Sequence, residues 1–196
     1  MPRLILASAS PRRQSLLREA GFHFLSHPAD IDETAYPQGL TAEAIAEYLA
    51  TAKARVVSIS YPADVTIGSD TVVALGTALL GKPVDATDAH QMLSRLSGTT
   101  HRVMSGVCVI HPAAQFHRSI VVTSTVHMRR LTESEIVAYV AGRQWEGKAG
   151  GYGIQDQDPF VTRMDGSLTN IVGLPMDETI ALLAAAGISP PAATIR

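Results

Sequence analysis

Leu4-Ile5-Leu6-Ala7 is an apolar run of strand length, and a few residues later Ser10-Pro11 supplies a helix cap with proline at the first helical position. Leu16, Leu17 and Ala20 then form one helical face, which Gly21 ends. A strand, a tight turn and a helix packed into so short a stretch require a sheet with a helix lying on it. They also set a helix N-terminus at the C-terminal end of a strand.

The remaining chain continues the alternation. Thr41 to about Ser60 reads as a helix, with Ile45, Leu49, Ala52 and Val56 as its apolar stripe. Val65-Thr66-Ile67-Gly68 reads as a strand that delivers Asp70 at its C-terminal end, and Val72 to Leu80 as a hairpin around Gly76. Asp85 to Leu96 is a further helix closed by Gly98. His101–Ile110 and Phe116–Met128 are long β-type runs, predicted to pair antiparallel. Thr132 and Glu135 make a capping box, with Leu131 and Ile136 as the hydrophobic staple of a helix that runs to Gly142. Short strands near Phe160–Met164 and Asn170–Val172 are expected before a last helix from Pro175 to Gly187. The class is α/β, a mixed sheet with flanking helices. No repeat or linker divides residues 1–196, so one domain is expected.

Composition removes several function classes. Hydrophobic residues make up 46% and charged residues 17%, which is enough apolar surface to form a core. A net charge of -2 lacks the basic excess that a nucleic acid polymer needs in its partner. The single cysteine, Cys108, lies in an apolar run that reads as buried strand, which fits a reducing compartment. The apolar stretch after Arg3 is shorter than the roughly 7–15 residues of a signal peptide. The run Ile180 to Ala186 is likewise shorter than the roughly 18 of a membrane span. A cytoplasmic protein without a membrane partner is expected.

The chemistry concentrates in a few places. Ser8-Ala9-Ser10-Pro11-Arg12-Arg13 puts two arginines at a helix start, where the macrodipole disfavours cations. Backbone N–H groups, the hydroxyls of Ser8 and Ser10 and two guanidinium groups could together cradle a phosphate chain; the alternative is a plain serine cap with solvent-facing arginines. Gly76 to Pro83 comes within one residue of a P-loop, but Pro83 removes the hydroxyl and an N–H, and the segment sits in a hairpin. Lys82 remains a candidate phosphate contact. Asp70 could hold a divalent cation and polarise a water, or cap a turn, and Glu33 is a second acidic candidate for the same cation. The histidines show no metal spacing, which argues against zinc. Gly147 to Gln155 is glycine-rich and ends in an amide able to read a base edge, or is a loop without a partner. Trp145 and Tyr152 beside it could stack on a base or pack locally.

Ser8-x-Ser10-Pro11-Arg12-Arg13, Gly68-Ser69-Asp70-Thr71, Gly81-Lys82-Pro83, Leu96-Ser97-Gly98-x-x-His101, Lys148 to Gln155 and Val172-Gly173-Leu174-Pro175 form an ordered set that resembles the Maf family of nucleotide pyrophosphatases. The resemblance covers nearly the whole chain. It implies a fold of the Maf and inosine-triphosphatase kind, two lobes around a central groove, and a homodimer. It also implies hydrolysis of a nucleoside triphosphate to the monophosphate and pyrophosphate with Mg²⁺ or Mn²⁺. By position, Asp70 is then the catalytic carboxylate, as proton acceptor or metal ligand. Ser8, Arg13, Lys53 and Lys82 become the phosphate-binding set, and Glu33 a cation ligand. One branch of the family resembles dTTP/UTP pyrophosphatases and carries Arg12, Thr71 and Gln155 at three marked positions. The 7-methyl-GTP branch carries a bulky residue, a glutamine and a glutamate there instead, so the resemblance favours dTTP, UTP and modified pyrimidine triphosphates. Asp156, where glycine often stands, bears on the finer selectivity. The alternative from another class is a nucleotide-binding regulator of division or septum formation.

Overall fold

A computed structural model describes residues 2–155 and 160–190. In chain order the elements are β1 (Leu4–Leu6), α1 (Pro11–Glu19), β2 (Phe24–Ser26), α2 (Ala42–Ser58), β3 (Val65–Leu75), β4 (Ala78–Leu80) and α3 (Ala86–Leu96). They continue as β5 (Thr100–His111), β6 (Phe116–Met128), α4 (Glu133–Ala141), β7 (Val161–Asp165), α5 (Leu168–Val172) and α6 (Met176–Ala185). The local signals decide the helix starts: Ser10, Thr41, Asp85 and Thr132 each cap a helix through their side chains, and Thr132 with Glu135 completes the capping box.

The strands form one mixed sheet in the order β2-β1-β3-β5-β6-β7, with β4 also on β3. β1 runs parallel to the first part of β3, Leu4–Leu6 against Val65–Ile67, whereas β4 runs antiparallel to its last part, Leu80 facing Val73. The opposite edge of β3 is paired with β5 from Thr66 to Ala74. Between Ile67 and Val73, therefore, one edge of β3 has no strand beside it among the described residues. The groove opens into that gap. Apolar clusters lie on either side of it. One gathers Leu4, Leu17, Ile67, Val109 and Leu183; the other gathers Val73, Leu93, Val103, Val126 and Phe160. β3 and β5 run through both.

α2 lies directly on β3 and β5, which is possible because Gly68 and Gly106 leave no side chain beneath it. A Cβ at Gly106 would sit 2.2 Å from the Ala46 carbonyl oxygen, and one at Gly68 2.3 Å from that of Ala50. The obstacle is helix backbone, so it cannot rotate away. Gly106→Ala is expected to cost about 3 kcal/mol through overpacking, which lowers Tm by roughly 6–12 °C in a chain of this size. A thermal melt superimposable on the parent's would contradict this close packing.

Four readings of the sequence change. Asp70 does not end a strand: Val65–Gly68 and the first arm of the expected hairpin are one continuous strand with Asp70 at its middle. Asn170–Val172 is helix rather than strand, because Ser167 caps it by accepting from the Asn170 N–H, which outweighs the β preference of Ile171 and Val172. The edge strand β2 carried no periodic signal. The buried face of α2 includes Ile45, Leu49, Lys53 and Val57, and Val56 is 41% exposed. Cys108 is buried in β5 as expected.

Candidate active site

Residues that the sequence brought forward separately line one groove of about 440 Å³: Ser8, Ser10, Arg12, Arg13, Glu33, Lys53, Asp70, Thr71, Lys82 and Gln155. That volume suits a small-molecule ligand. Asp156 lies outside the described residues.

At one end, the N-terminus of α1 supplies the contacts. The Ser10 hydroxyl accepts from the Arg13 N–H, and the Ser8 hydroxyl accepts from the Ser10 N–H at 3.2 Å. No acidic residue occupies the first turn, so the positive end of the helix faces the groove without internal compensation. Arg13 is only 9% exposed. Its Nε donates to the Gly173 carbonyl at 2.8 Å, Nη1 to Ser8 Oγ at 3.3 Å and Nη2 to Thr71 Oγ1 at 3.0 Å. Every one of these acceptors is neutral. Burial lowers the guanidinium's pKa while the more distant charges of Asp70 and Glu33 work against that effect. Because arginine is not deprotonated in proteins, Arg13 is a buried cation whose hydrogen-bond acceptors among the described residues are all neutral. Arg12 reaches across the groove, donating to the Gly147 carbonyl at 2.9 Å.

On the α2 face of β3, Lys53 stands between two carboxylates, its Nζ 2.6 Å from Glu33 Oε1 and 2.6 Å from Asp70 Oδ1. Lys53 is 5% exposed and Asp70 7%. Lys82 takes the other oxygen of Glu33, also at 2.6 Å. Burial alone would raise the Glu33 carboxyl, but hydrogen bonds and charge from Lys53 and Lys82 outweigh it and hold it at about 2. Both Glu33 oxygens are thus engaged, whereas Asp70 has a single lysine contact and its Oδ2 makes no hydrogen bond among the described residues. Asp70 therefore keeps one oxygen that no lysine occupies, available to a water or an ion.

The glycine-rich segment forms the far wall. Gly150 and Gly151 adopt positive φ, and the Gly150 N–H binds the Gly81 carbonyl at 2.9 Å, which ties this wall to the segment that carries Lys82. Tyr152 lines the groove, its hydroxyl 2.6 Å from Nε2 of the buried His101 and its ring edge-on to the imidazole. Burial brings His101 down to about 4, so it is neutral at physiological pH. Trp145 packs locally, donating to the Val140 carbonyl. Gln155 is exposed at the rim.

Several contributors had no site role in the sequence reading, although Ser69 and Gly173 stand in its motifs. The Gly173 carbonyl accepts from Arg13 and also from Ser69 Oγ at 3.0 Å. Asn170, fully buried, anchors the helix that ends at Gly173. The serine cap at 167 and the flanking Gly166 and Gly173 were the available signals for this turn.

Known proteins are similar along nearly the whole chain. A dTTP/UTP pyrophosphatase of Myxococcus xanthus is 45% identical over 189 residues, 96% of this chain and 94% of its own. Proteins of the same name from Mesorhizobium japonicum and Caulobacter vibrioides are each 44% identical, over 95% and 96% of this chain and 93% and 98% of theirs. A solved nucleoside-triphosphatase / dITP/XTP pyrophosphatase from Mycobacterium abscessus covers 94% of both chains at 16% identity, with a TM-score of 0.46. The model of the family described as Maf-like protein matches residues 3–186, so this chain, with its arginine-lined helix start and its carboxylate pair bridged by lysine, belongs to the Maf-like family.

Proposed function

We propose that the protein hydrolyses dTTP and UTP, and related modified pyrimidine triphosphates, to the monophosphate and pyrophosphate. The carrying observation is Arg13, buried with only neutral acceptors, beside the Lys53-bridged pair of Glu33 and Asp70. The relatives' names support the same substrates.

Arg13, Ser8, Ser10 and the α1 N–H groups bind phosphate oxygens, and Arg12, Lys53 and Lys82 offset the remaining charge. Asp70 accepts the proton of a water through its uncommitted oxygen. The water oxygen bonds to the α-phosphorus while the bond from that phosphorus to the bridging oxygen breaks, and pyrophosphate leaves with the bonding pair. Positioning and charge stabilisation dominate such transfers.

Asp70, through the oxygen that no lysine occupies, and Glu33, by exchanging a lysine contact, are the residues that would hold a divalent cation. Among the described residues no group of three His, Cys, Asp or Glu surrounds a common point, and two carboxylates suit Mg²⁺ or Mn²⁺, which keep several waters and share phosphate oxygens. When bound, the cation supplies Lewis-acid neutralisation of the triphosphate. Gln155 recognises the pyrimidine edge through its amide. We place the enzyme in the cytosol as a homodimer acting on free nucleotide, with no nucleic acid polymer as partner. No described helix is long and apolar enough to cross a membrane.

In H₂¹⁸O, the label is expected in dTMP and not in pyrophosphate; label in the pyrophosphate, or dTDP as product, would overturn attack at the α-phosphorus. Gln155→Glu is expected to lower kcat/KM for dTTP and UTP about 10-fold, the scale of one mismatched hydrogen bond. Tripolyphosphate inhibition should be unchanged, and equal kinetics for variant and parent would remove Gln155 from base recognition.

A further inference from the structure

Thr71 occupies one of the positions that separate the two branches, yet its hydrogen bonds lead away from the rim where Gln155 stands. Its Oγ1 lies 3.0 Å from Arg13 Nη2 and 2.9 Å from Ser105 Oγ. The direction of each bond follows from counting protons. A hydroxyl has one, a carbonyl has none and a guanidinium only donates. Ser105 Oγ is 2.9 Å from the Asn170 carbonyl, so its proton goes there. Toward Thr71 it can then only accept, which commits the Thr71 proton to Ser105. Thr71 is left with lone pairs for Arg13. The other acceptor near Thr71, the Gly173 carbonyl, is 3.5 Å away.

The end of this chain is fixed. Asn170 is fully buried; its Nδ2 donates to the Val103 carbonyl at 3.0 Å and Ser124 Oγ at 2.9 Å, and its Oδ1 accepts from the Ser105 N–H. With donors and acceptors on opposite sides of the amide, one orientation satisfies all of them. Ser105 is fully buried and is not part of the groove wall.

We propose that Ser105 is a positioning residue for polyphosphate: by taking the proton of Thr71 it keeps Thr71 a pure acceptor for Arg13 and so aims the guanidinium at the substrate's phosphates. Position 71 accordingly acts on the phosphate end and not on the base edge. This rests on Arg13 as a phosphate ligand.

The test uses Ser105→Ala, Thr71→Val, Thr71→Ser and the double variant Ser105→Ala/Thr71→Val, with inorganic tripolyphosphate as a probe that has no base. Calorimetry is expected to show tripolyphosphate affinity reduced about 5-fold in each of Ser105→Ala and Thr71→Val, the scale of one buried hydrogen bond. The double variant should be no weaker than the worse single one. Thr71→Ser, which keeps the hydroxyl, should retain parental affinity. In turnover, KM for dTTP and CTP should rise by the same factor with kcat little changed, leaving the dTTP:CTP selectivity ratio constant. A changed ratio with unaltered tripolyphosphate affinity would mean that position 71 reads the base, and multiplicative losses in the double variant would mean that the two residues act independently; either overturns the proposal. A parent protein that binds tripolyphosphate but cleaves no nucleotide would contradict the pyrophosphatase reading alone, because the binding series still decides the role of Ser105.

Discussion

Asp70→Asn is expected to reduce kcat for dTTP about 10³-fold, within the range assigned to a positioned general base, while dTTP still binds within a few-fold of the parent affinity. The substitution is isosteric, and Lys53 keeps its 2.6 Å contact to Glu33, so the site is not left with an unpaired buried cation. What is lost is the one carboxylate oxygen of the pair that no lysine occupies. Glu33 cannot replace it: both its oxygens are bound to lysines, and its carboxyl, held at about 2, is a weak base. Initial rates of pyrophosphate release and calorimetric titration with dTTP check the two halves separately. Turnover within 10-fold of the parent would remove Asp70 from the chemistry.

Arg13→Met should separate function from stability. Removing a buried fork of donors that faces phosphate is expected to lower kcat/KM by about 10²–10³-fold. Stability should not fall with it. Arg13 is buried against the Gly173 carbonyl and two hydroxyls, with no carboxylate at ion-pair distance among the described residues, so its desolvation is offset only in part, by the more distant charges of Asp70 and Glu33. Methionine fills similar space with no charge, and the Gly173 carbonyl retains its bond from Ser69. Tm is expected to stay level or rise by a few degrees, the usual sign of a residue kept for ligand rather than for fold. Tripolyphosphate should raise the Tm of the parent and not of the variant. A marked drop in Tm with near-normal kinetics would show that Arg13 is structural.

What could be read in the sequence follows the range of the forces involved. Ser10, Thr41, Asp85 and Thr132 bond within three residues of themselves, so the helix starts were legible, as was the hairpin at Gly76. The middle of β3 was not. Nothing local states that a strand continues through Ser69-Asp70-Thr71 with one edge uncovered; that depends on where β1 ends and β4 begins. Lys53 entered only through the family resemblance, although it stands in the four-residue row of Ile45, Leu49 and Val57, and a lysine in an apolar row is itself a signal for a buried charge with a partner. The Asn170 network joins residues 65 apart in sequence and left no local trace. The arginines at the helix start were informative because they oppose the helix dipole, and the groove beside them accounts for that cost.

The most direct test of the central claim is product analysis with Mg²⁺ or Mn²⁺ across dTTP, UTP, CTP, ATP, GTP, 7-methyl-GTP and modified pyrimidine triphosphates. Monophosphate and pyrophosphate in equal amounts, formed fastest from dTTP, UTP and modified pyrimidines, is the expected result. Preference for 7-methyl-GTP would contradict the reading of Arg12, Thr71 and Gln155, and binding without cleavage of any of these nucleotides would contradict the enzyme itself.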